Sequence, residues 1–228
     1  MLLALEGVAG AGKSTLRDRL LADAAAGNIP VSHVGQFSWL CAPAARTLIA
    51  LRAGRPGPGP DDAAEAAWRD LTLHARFVIE PARRAGPVIA DRLSLSTAVL
   101  LALVHRRPVA EYVHRLAERS GARPDLTILL TTPPEICHAR IGARPTARRF
   151  TEDPATAARL ADLYDEGARA WTAATALPVL RHPSTTESDL DALATTCLDR
   201  LREHAPPAPT TGGHHHEASP AAPRRLGP

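Results

Sequence analysis

The sequence contains very little lysine, since Lys13 is the single lysine among its 27 lysine and arginine residues. Cysteines are also few: Cys41, Cys137 and Cys197 lie far apart and form no CxxC pair. This spacing argues against a zinc cluster or a disulfide framework and favours reduced thiols in a cytoplasmic protein. The most apolar stretch, residues 93–104, is too short to cross a membrane. We expect no signal peptide, because the first residues are typical of a strand.

Neither sign of charge dominates the chain. The formal net charge is +3 over 228 residues, and the arginines form no polybasic run. This balance gives no reason to expect a nucleic-acid partner, and nothing indicates a membrane partner. Hydrophobic residues make up 45% of the chain, which is enough for a substantial core in one domain. Composition leaves the oligomeric state open, with a homodimer as one option.

The strongest motif is at the start of the chain, in MLLALEGVAGAGKST. Residues 1–5 are an apolar run typical of a buried strand, and Leu16, Leu20 and Leu21 recur at helical spacing. The segment between them fits GxxxxGK[ST], in which glycines let backbone N–H groups surround a phosphate chain. Lys13 supplies a compact positive charge to the outer phosphates, and the Ser14 hydroxyl can bind Mg²⁺. The pattern predicts a nucleotide site.

The rest of the sequence narrows the class of phosphate-loop protein. A GTP switch needs Asn-Lys-x-Asp to read guanine, which a chain with a single lysine in its phosphate loop cannot provide. Motor ATPases end a strand with Asp-Glu, whereas the apolar run 88–90 ends with Asp91 and Arg92. A carboxylate beside a guanidinium suits metal ordering and the capture of a second anion.

Strand and helix patterns alternate along the chain and predict an α/β fold with a parallel sheet of about five strands. We expect strands over 1–5, 29–34, 88–90, 125–130 and 178–181. We expect helices over 13–26, 42–52, 63–84 (capped by Asp61 or Asp62), 94–105, 108–121, 134–141, 154–176 and 186–204. A folded domain then covers 1–204, and residues 205–228, rich in Pro, Ala and Gly, are expected to form a disordered tail.

Four segments in this order resemble thymidylate kinase and its relatives among the nucleoside monophosphate kinases: EGVAGAGKST, PVIADRLSLS, RPDLTILLTTPPEICHARI and RPTARRFTED. The resemblance extends from Met1 to about His204. It implies a three-layer P-loop kinase fold with helices on both faces of the sheet and an arginine-bearing lid at about residues 142–153. It also implies an enzyme that uses ATP and Mg²⁺.

The resemblance assigns roles to individual residues. Catalysis falls to Lys13, Asp91, Arg92, Arg144 and Arg149, with Ser14 and Asp91 at the metal and Arg92 on the acceptor phosphate. ATP binding falls to Gly7, Val8, Ala9, Gly10, Ala11, Gly12, Lys13, Ser14, Thr15, Arg140 and Arg144.

The acceptor is less well defined, because the chain departs from the family where thymidylate is read. His33-Val34-Gly35-Gln36 replaces an Arg-Glu-Pro-like string, Leu71 replaces the base-reading arginine, and Arg148 replaces the acid before the lid arginine. We expect a different set of side chains around the acceptor: Phe37, Trp39, Trp68, Arg69, Asp70 and His74.

Three functions are consistent with these patterns. The first is phosphoryl transfer from ATP to a nucleoside monophosphate or a similar small molecule. The second is transfer to a hydroxyl of a nucleoside or specialised metabolite, which needs a base; no carboxylate occurs between Ile29 and Leu40, which leaves Asp91 for that role. The third is a regulatory module that binds ATP without turnover.

Overall fold

A parallel sheet forms the centre of the molecule in the computed structural model, which describes residues 1–55, 57–119, 122–145 and 150–207. In these residues the sheet has five strands in the order β2-β3-β1-β4-β5, and every pairing is parallel. The predicted α/β class is confirmed. The strands are β1 (Leu2–Gly7), β2 (Ser32–Gly35), β3 (Val88–Asp91), β4 (Leu126–Leu130) and β5 (Val179–His182).

Helices connect successive strands, as parallel pairing requires. The described helices are α1 (Lys13–Ala26), α2 (Ala42–Arg52), α3 (Pro60–His74), α4 (Glu80–Ala85), α5 (Ser94–His105), α6 (Val109–Arg119), α7 (Pro134–Gly142), α8 (Pro154–Thr175) and α9 (Glu187–Glu203). A π-helical turn, Ala75–Ile79, joins α3 to α4, and a 3₁₀ turn, Phe150–Glu152, precedes α8.

The helices cover the sheet in two layers. Helices α1 and α9 pack against each other, while α5, α6 and α8 form a second group together with α3. All six residues of β1 are buried, as expected for a central strand covered on both faces. Glu6 is the one charged residue in this strand and is 1% exposed.

Strand β2 is shorter than predicted, beginning at Ser32 rather than Ile29. The backbone N–H of Ile29 bonds back to Ala24 in α1, and that of Val31 bonds to Ile29. Pro30 has no N–H to offer a neighbouring strand. The apolar residues before Ser32 therefore form the turn that leaves α1.

The predicted single helix over 63–84 is also wrong in its boundaries. Helix α3 begins at Pro60 with Gly59 at the N-cap position, so Asp61 and Asp62 lie in the first turn and cap nothing through their side chains. At the other end the N–H of Glu80 bonds to the carbonyl of Ala75, which is π-helical spacing. Pro81 follows directly, and its missing N–H and its ring disfavour a continuous α-helix there.

Two predicted segments are described only in part. Residues 146–149 of the predicted lid and residues 208–228 of the predicted tail lie outside the described residues. The domain boundaries at 204 and 205 stay a prediction. In the described ranges, no helix combines the length and hydrophobicity that a membrane crossing requires.

We predict that Gly86→Ala destabilises the fold. A Cβ atom at Gly86 would lie 2.1 Å from the carbonyl oxygen of Pro30, so the turn before β2 or the end of α4 must shift. Overpacking of this kind lowers the free energy of unfolding by about 1–3 kcal/mol, which urea denaturation would measure. Gly142→Ala is the matched control, because nothing lies within 4 Å of its added Cβ. Equal stability of the two variants would contradict the prediction.

Candidate active site

The phosphate-binding loop, residues 7–12, connects β1 to α1 at the carboxyl edge of the sheet. Gly10 has a φ of +80°, and a Cβ there would lie 2.5 Å from the carbonyl oxygen of Cys137. The loop therefore packs directly on the backbone of α7, and glycine is required at this point. The helix that follows begins at Lys13, so its N-terminus faces the loop as an anion site requires.

The ammonium of Lys13 is buried inside this loop. Its Nζ donates to the carbonyl oxygens of Gly7 at 2.9 Å and Val8 at 2.6 Å. Burial lowers the pKa of Lys13 well below its ordinary value, and the nearby charge of Arg92 acts in the same direction. A phosphate group at the loop would favour the charged form of this lysine.

Asp91, at the end of β3, faces the same region as Ser14. Its Oδ2 accepts from Nη1 of Arg17 at 2.7 Å, so α1 holds this carboxylate in place. Among the described residues, no group of three or more His, Cys, Asp or Glu side chains could hold a metal ion by itself. Mg²⁺ in nucleotide sites typically takes one or two protein ligands and completes its shell with phosphates and water. The Ser14 hydroxyl and the Asp91 carboxylate fit that kind of site.

Arg92 is held against the phosphate-binding loop. Its φ of +68° is in the left-handed region, and its Nη1 donates to the Gly7 carbonyl at 2.9 Å. The same nitrogen donates to the hydroxyls of Ser96 at 3.0 Å and Tyr164 at 2.6 Å. A backbone oxygen of the loop therefore receives hydrogen bonds from both Lys13 and Arg92.

The buried carboxylate of Glu6 supports this arrangement. Its Oε1 accepts from the backbone N–H groups of Leu93 at 2.9 Å and Ser96 at 3.3 Å, and its Oε2 accepts from the Ser96 hydroxyl. Glu6 therefore caps the N-terminus of α5 from the neighbouring strand. Burial raises the pKa of Glu6, while the Ser96 hydrogen bond and the charge of Arg92 act to lower it.

Two cavities meet at this point. The phosphate cavity, of about 430 Å³, is lined by Ala9, Gly10, Gly12, Lys13, Ser14, Thr15, Asp91, Arg92, Arg140, Arg144, Glu152, Glu187 and Leu190. The second cavity, of about 350 Å³, is called the acceptor cavity because the sequence predicts that Arg92 holds the acceptor phosphate; it is lined by Val8, Ala9, Gln36, Ile49, Arg52, Ala53, Arg92, Ser96, Val99, Leu100, Thr151, Glu152, Leu160 and Tyr164. Among the residues that the structure describes, Ala9, Arg92 and Glu152 line both cavities, so a group transferred between the cavities would pass these three residues.

The predicted lid arginines are described in part. Arg144 lines the phosphate cavity, and its Nη1 lies 3.7 Å from Oε1 of Glu152. Arg149 and its neighbour Arg148 lie outside the described residues, so the role of Arg149 stays a prediction. Arg140 on α7 donates to backbone carbonyls of Ser184 at 3.0 Å and Thr185 at 3.2 Å, which places it beside the loop after β5.

The six side chains predicted around the acceptor line neither cavity. Phe37, Asp70 and His74 are buried, Trp68 packs at the edge of the core, and Trp39 and Arg69 are exposed. Their contact with the acceptor stays a prediction. Phe37 and Trp39 were proposed from the loop after β2 and the other four from the register of the long helix, and helix packing turns these side chains toward the core or solvent.

Asp70 shows what this group does instead. Its carboxylate accepts from the N–H of Ser38 at 2.9 Å, from the Ser38 hydroxyl at 2.7 Å and from the N–H of Trp39 at 3.0 Å. Trp39, with a φ of +59°, packs on Phe37 and under the guanidinium of Arg52. Asp70 thus holds the loop between β2 and α2, and through it the side of the acceptor cavity that carries Arg52.

Several cavity residues were missed by the sequence analysis: Gln36, Arg52, Ser96, Glu152 and Tyr164. Of these five residues, Glu152 could have been recognised from the sequence, and so could Glu6, which lines neither cavity but supports Arg92. Glu6 is a charge within an otherwise apolar strand, and Glu152 lies in the predicted arginine-rich lid. The other four belong to helices or loops whose side-chain direction depends on packing.

Comparison with known proteins agrees with this geometry. The chain is 32% identical over 152 residues to a probable thymidylate kinase of Natronomonas pharaonis, covering 63% of this chain and 72% of that protein. The chain belongs to the thymidylate kinase family. It is also 30% identical over 155 residues to a thymidylate kinase of Xanthomonas euvesicatoria pv. vesicatoria, covering 67% of this chain and 65% of that protein, slightly under two thirds. No family model matches the sequence.

Membership in the thymidylate kinase family confirms the resemblance and the predicted enzyme class. The chain is a P-loop kinase. Membership in a family of kinases disfavours the alternative that the protein is a regulatory module that binds ATP without turnover. The individual site residues stay predictions that mutation must test.

We predict that ATP affinity falls as pH rises through the lowered pKa of Lys13. Above that pKa the amine is neutral and no longer attracts the phosphates, whose own ionisation is complete in alkaline solution. Calorimetric titration with MgATP at successive pH values below about 10.4, the ordinary pKa of lysine, would measure this slope.

Lys13→Met is the control for this titration. It should weaken binding by about 1.5–3 kcal/mol, the value of a hydrogen bond to a charged group, and should show no slope of its own. A slope shared by both proteins would mean that another group is responsible.

Proposed function

We propose that this kinase transfers the γ-phosphoryl group of ATP to a nucleoside monophosphate, giving ADP and a nucleoside diphosphate. The observation that carries the proposal is the junction of the two cavities. Lys13 and Arg92 approach one carbonyl oxygen there, the first from the phosphate cavity and the second from the border of both. Cations then surround a migrating phosphoryl group, whose transition state spreads negative charge over its oxygens.

Different residues of the chain would bind ATP, the acceptor and the metal ion. Backbone N–H groups of residues 7–15 hold the ATP phosphates, and Lys13 contacts the outer ones. Arg92 holds the acceptor phosphate, and Arg52, which also lines the acceptor cavity, adds a second positive charge. Arg144 approaches from the lid. Ser14 and Asp91 would hold Mg²⁺, which would supply neutralisation of the phosphate charge.

The acceptor class rests on anion binding rather than on base reading. The described acceptor cavity combines two arginines and one carboxylate, that of Glu152, with aliphatic side chains, an amide and three hydroxyl-bearing residues. The relatives' names make thymidylate the first nucleotide to test. The three cysteines are unpaired, which suits a protein that works with ATP in the reducing cytoplasm.

A panel of nucleoside monophosphates with MgATP would test the proposal. We expect ADP formation that depends on the acceptor and is abolished by Lys13→Ala. Arg92→Lys should raise the KM for the acceptor, because an ammonium cannot make the paired hydrogen bonds of a guanidinium. The matched control is Arg84→Lys, an exposed arginine on α4 outside both cavities. Turnover that is independent of every monophosphate would contradict the proposal.

One observation favours the second candidate, transfer to a hydroxyl. Glu152 is 5% exposed and lines both cavities, which is where a base would remove the hydroxyl proton. Asp91, the base suggested by the sequence, accepts a hydrogen bond from Arg17, and Glu152 lies 3.7 Å from Arg144, so each carboxylate has an arginine beside it.

Nucleosides in the same panel would separate the two candidates. If a hydroxyl is the acceptor, Glu152→Gln should lower kcat by about 10²-fold or more, because general-base catalysis is lost. If a monophosphate is the acceptor, no proton has to be removed and the same variant should keep most of its kcat. The preference of the wild-type enzyme for nucleosides or for monophosphates tests the same question without any substitution.

A further inference from the structure

The guanidinium of Arg92 is bound to the protein along one side. Its Nη1 carries two hydrogens and faces three acceptors: the Gly7 carbonyl, the Ser96 hydroxyl and the Tyr164 hydroxyl. Within the described residues, Nη2 and Nε of Arg92 donate to no protein group. Two adjacent donors of the planar fork therefore remain for an anion in the cavity.

The hydroxyl groups beside Nη1 form a directed chain. The guanidinium of Arg92 contains no acceptor atom, so in its hydrogen bond with Tyr164 it is the donor and the phenol oxygen is the acceptor. The Ser96 hydroxyl donates to Oε2 of Glu6, so the Tyr164 hydroxyl, 2.7 Å away, donates to the Ser96 oxygen. Burial raises the pKa of Tyr164, which keeps this phenol protonated. Hydrogen bonds then run from Arg92 through Tyr164 and Ser96 to Glu6.

The four residues of this hydrogen-bonded series come from separate parts of the fold. Glu6 belongs to β1, Arg92 follows β3, Ser96 lies in the first turn of α5, and Tyr164 lies in α8. Helix α8 begins directly after the 3₁₀ turn that carries Glu152. A side chain from the helix after the lid therefore contacts the arginine at the border of the two cavities.

We propose that Tyr164 and Ser96 are positioning residues, which link the guanidinium of Arg92 to the buried carboxylate of Glu6 and so aim its free edge at the acceptor's anionic group. The inference rests on the proposed function, since it assigns the acceptor anion to Arg92. It adds a specific role for α8: Tyr164, which lines the acceptor cavity, contributes to acceptor affinity by holding Arg92.

Tyr164→Phe is the direct test, because it removes one hydroxyl and keeps the ring. We expect the KM for the acceptor to rise about tenfold, the effect of one hydrogen bond to a charged group, while the KM for ATP stays unchanged. Ser96→Ala should shift the same constant in the same direction. An unchanged acceptor KM in Tyr164→Phe would overturn the proposal.

The second tyrosine of the chain provides a matched control. Tyr112 on α6 is buried, lines neither cavity, and its hydroxyl has no hydrogen-bond partner among the described residues. Tyr112→Phe makes the same chemical change and should leave both KM values as they are. Equal effects of the two substitutions would show that loss of a buried phenol, rather than the position of Arg92, is responsible.

A double-mutant cycle separates positioning from direct contact. In an Arg92→Ala background, Tyr164→Phe should have no further effect on the acceptor KM, because the group through which Tyr164 acts is gone. Additive effects would mean that Tyr164 touches the acceptor itself and would overturn the proposal. Arg92→Met, which also lacks a hydrogen-bond donor, replaces Arg92→Ala in the cycle if the alanine variant does not fold.

The same double-mutant cycle can be measured by urea denaturation, which does not depend on enzymatic activity. If Arg92 and Tyr164 are hydrogen-bonded in solution, the unfolding equilibrium constant of the double variant should differ severalfold from the product of the two single effects. A double variant whose effect equals that product would overturn the proposed link. Failure of every monophosphate as an acceptor would reject the proposed function, and the denaturation cycle would still decide whether Tyr164 holds Arg92. The two failures are therefore distinguishable.

Discussion

The site depends on two basic side chains, the buried Lys13 and the half-buried Arg92, that share one backbone oxygen. Lys13 Nζ and Arg92 Nη1 each lie 2.9 Å from the carbonyl oxygen of Gly7. Like charges that approach the same oxygen repel each other in a poorly solvated place, and the lowered pKa of Lys13 reflects both burial and Arg92. The preceding residue, Glu6, places a buried carboxyl group beside them, and burial raises its pKa while the charge of Arg92 lowers it. The arrangement is ready for an anion, which would add opposite charge without reorganising the protein.

The order of the strands explains why these groups meet. Strand β1 lies between β3 and β4, so the phosphate-binding loop, Asp91 with Arg92, and the segment leading to α7 all leave the same edge of the sheet. Parallel sheets of this kind bind ligands at that edge, where connections diverge to opposite faces. Strand β2 is next to β3, and the loop after it, held by Asp70, forms the outer side of the acceptor cavity.

Prediction from sequence was most successful where a function depends on neighbouring residues. The phosphate-binding loop, the Asp91-Arg92 strand end and the sheet class follow from short patterns, and the structure shows each of these elements. Prediction was weakest for the acceptor. Phe37 follows the end of β2, and Asp70 and His74 lie on α3; all three are buried, because α3 packs against the loop after β2 rather than opening toward the cavity.

The sequence by itself determined the class of chemistry, because a glycine loop with one lysine needs only local spacing to bind phosphate. Tertiary structure decided what surrounds that loop. The residues that hold Arg92, namely Glu6, Ser96 and Tyr164, are separated by as many as 158 positions in the numbering and meet only when four elements pack together. No local pattern encodes such a meeting, since the direction of each side chain depends on the packing of the whole domain.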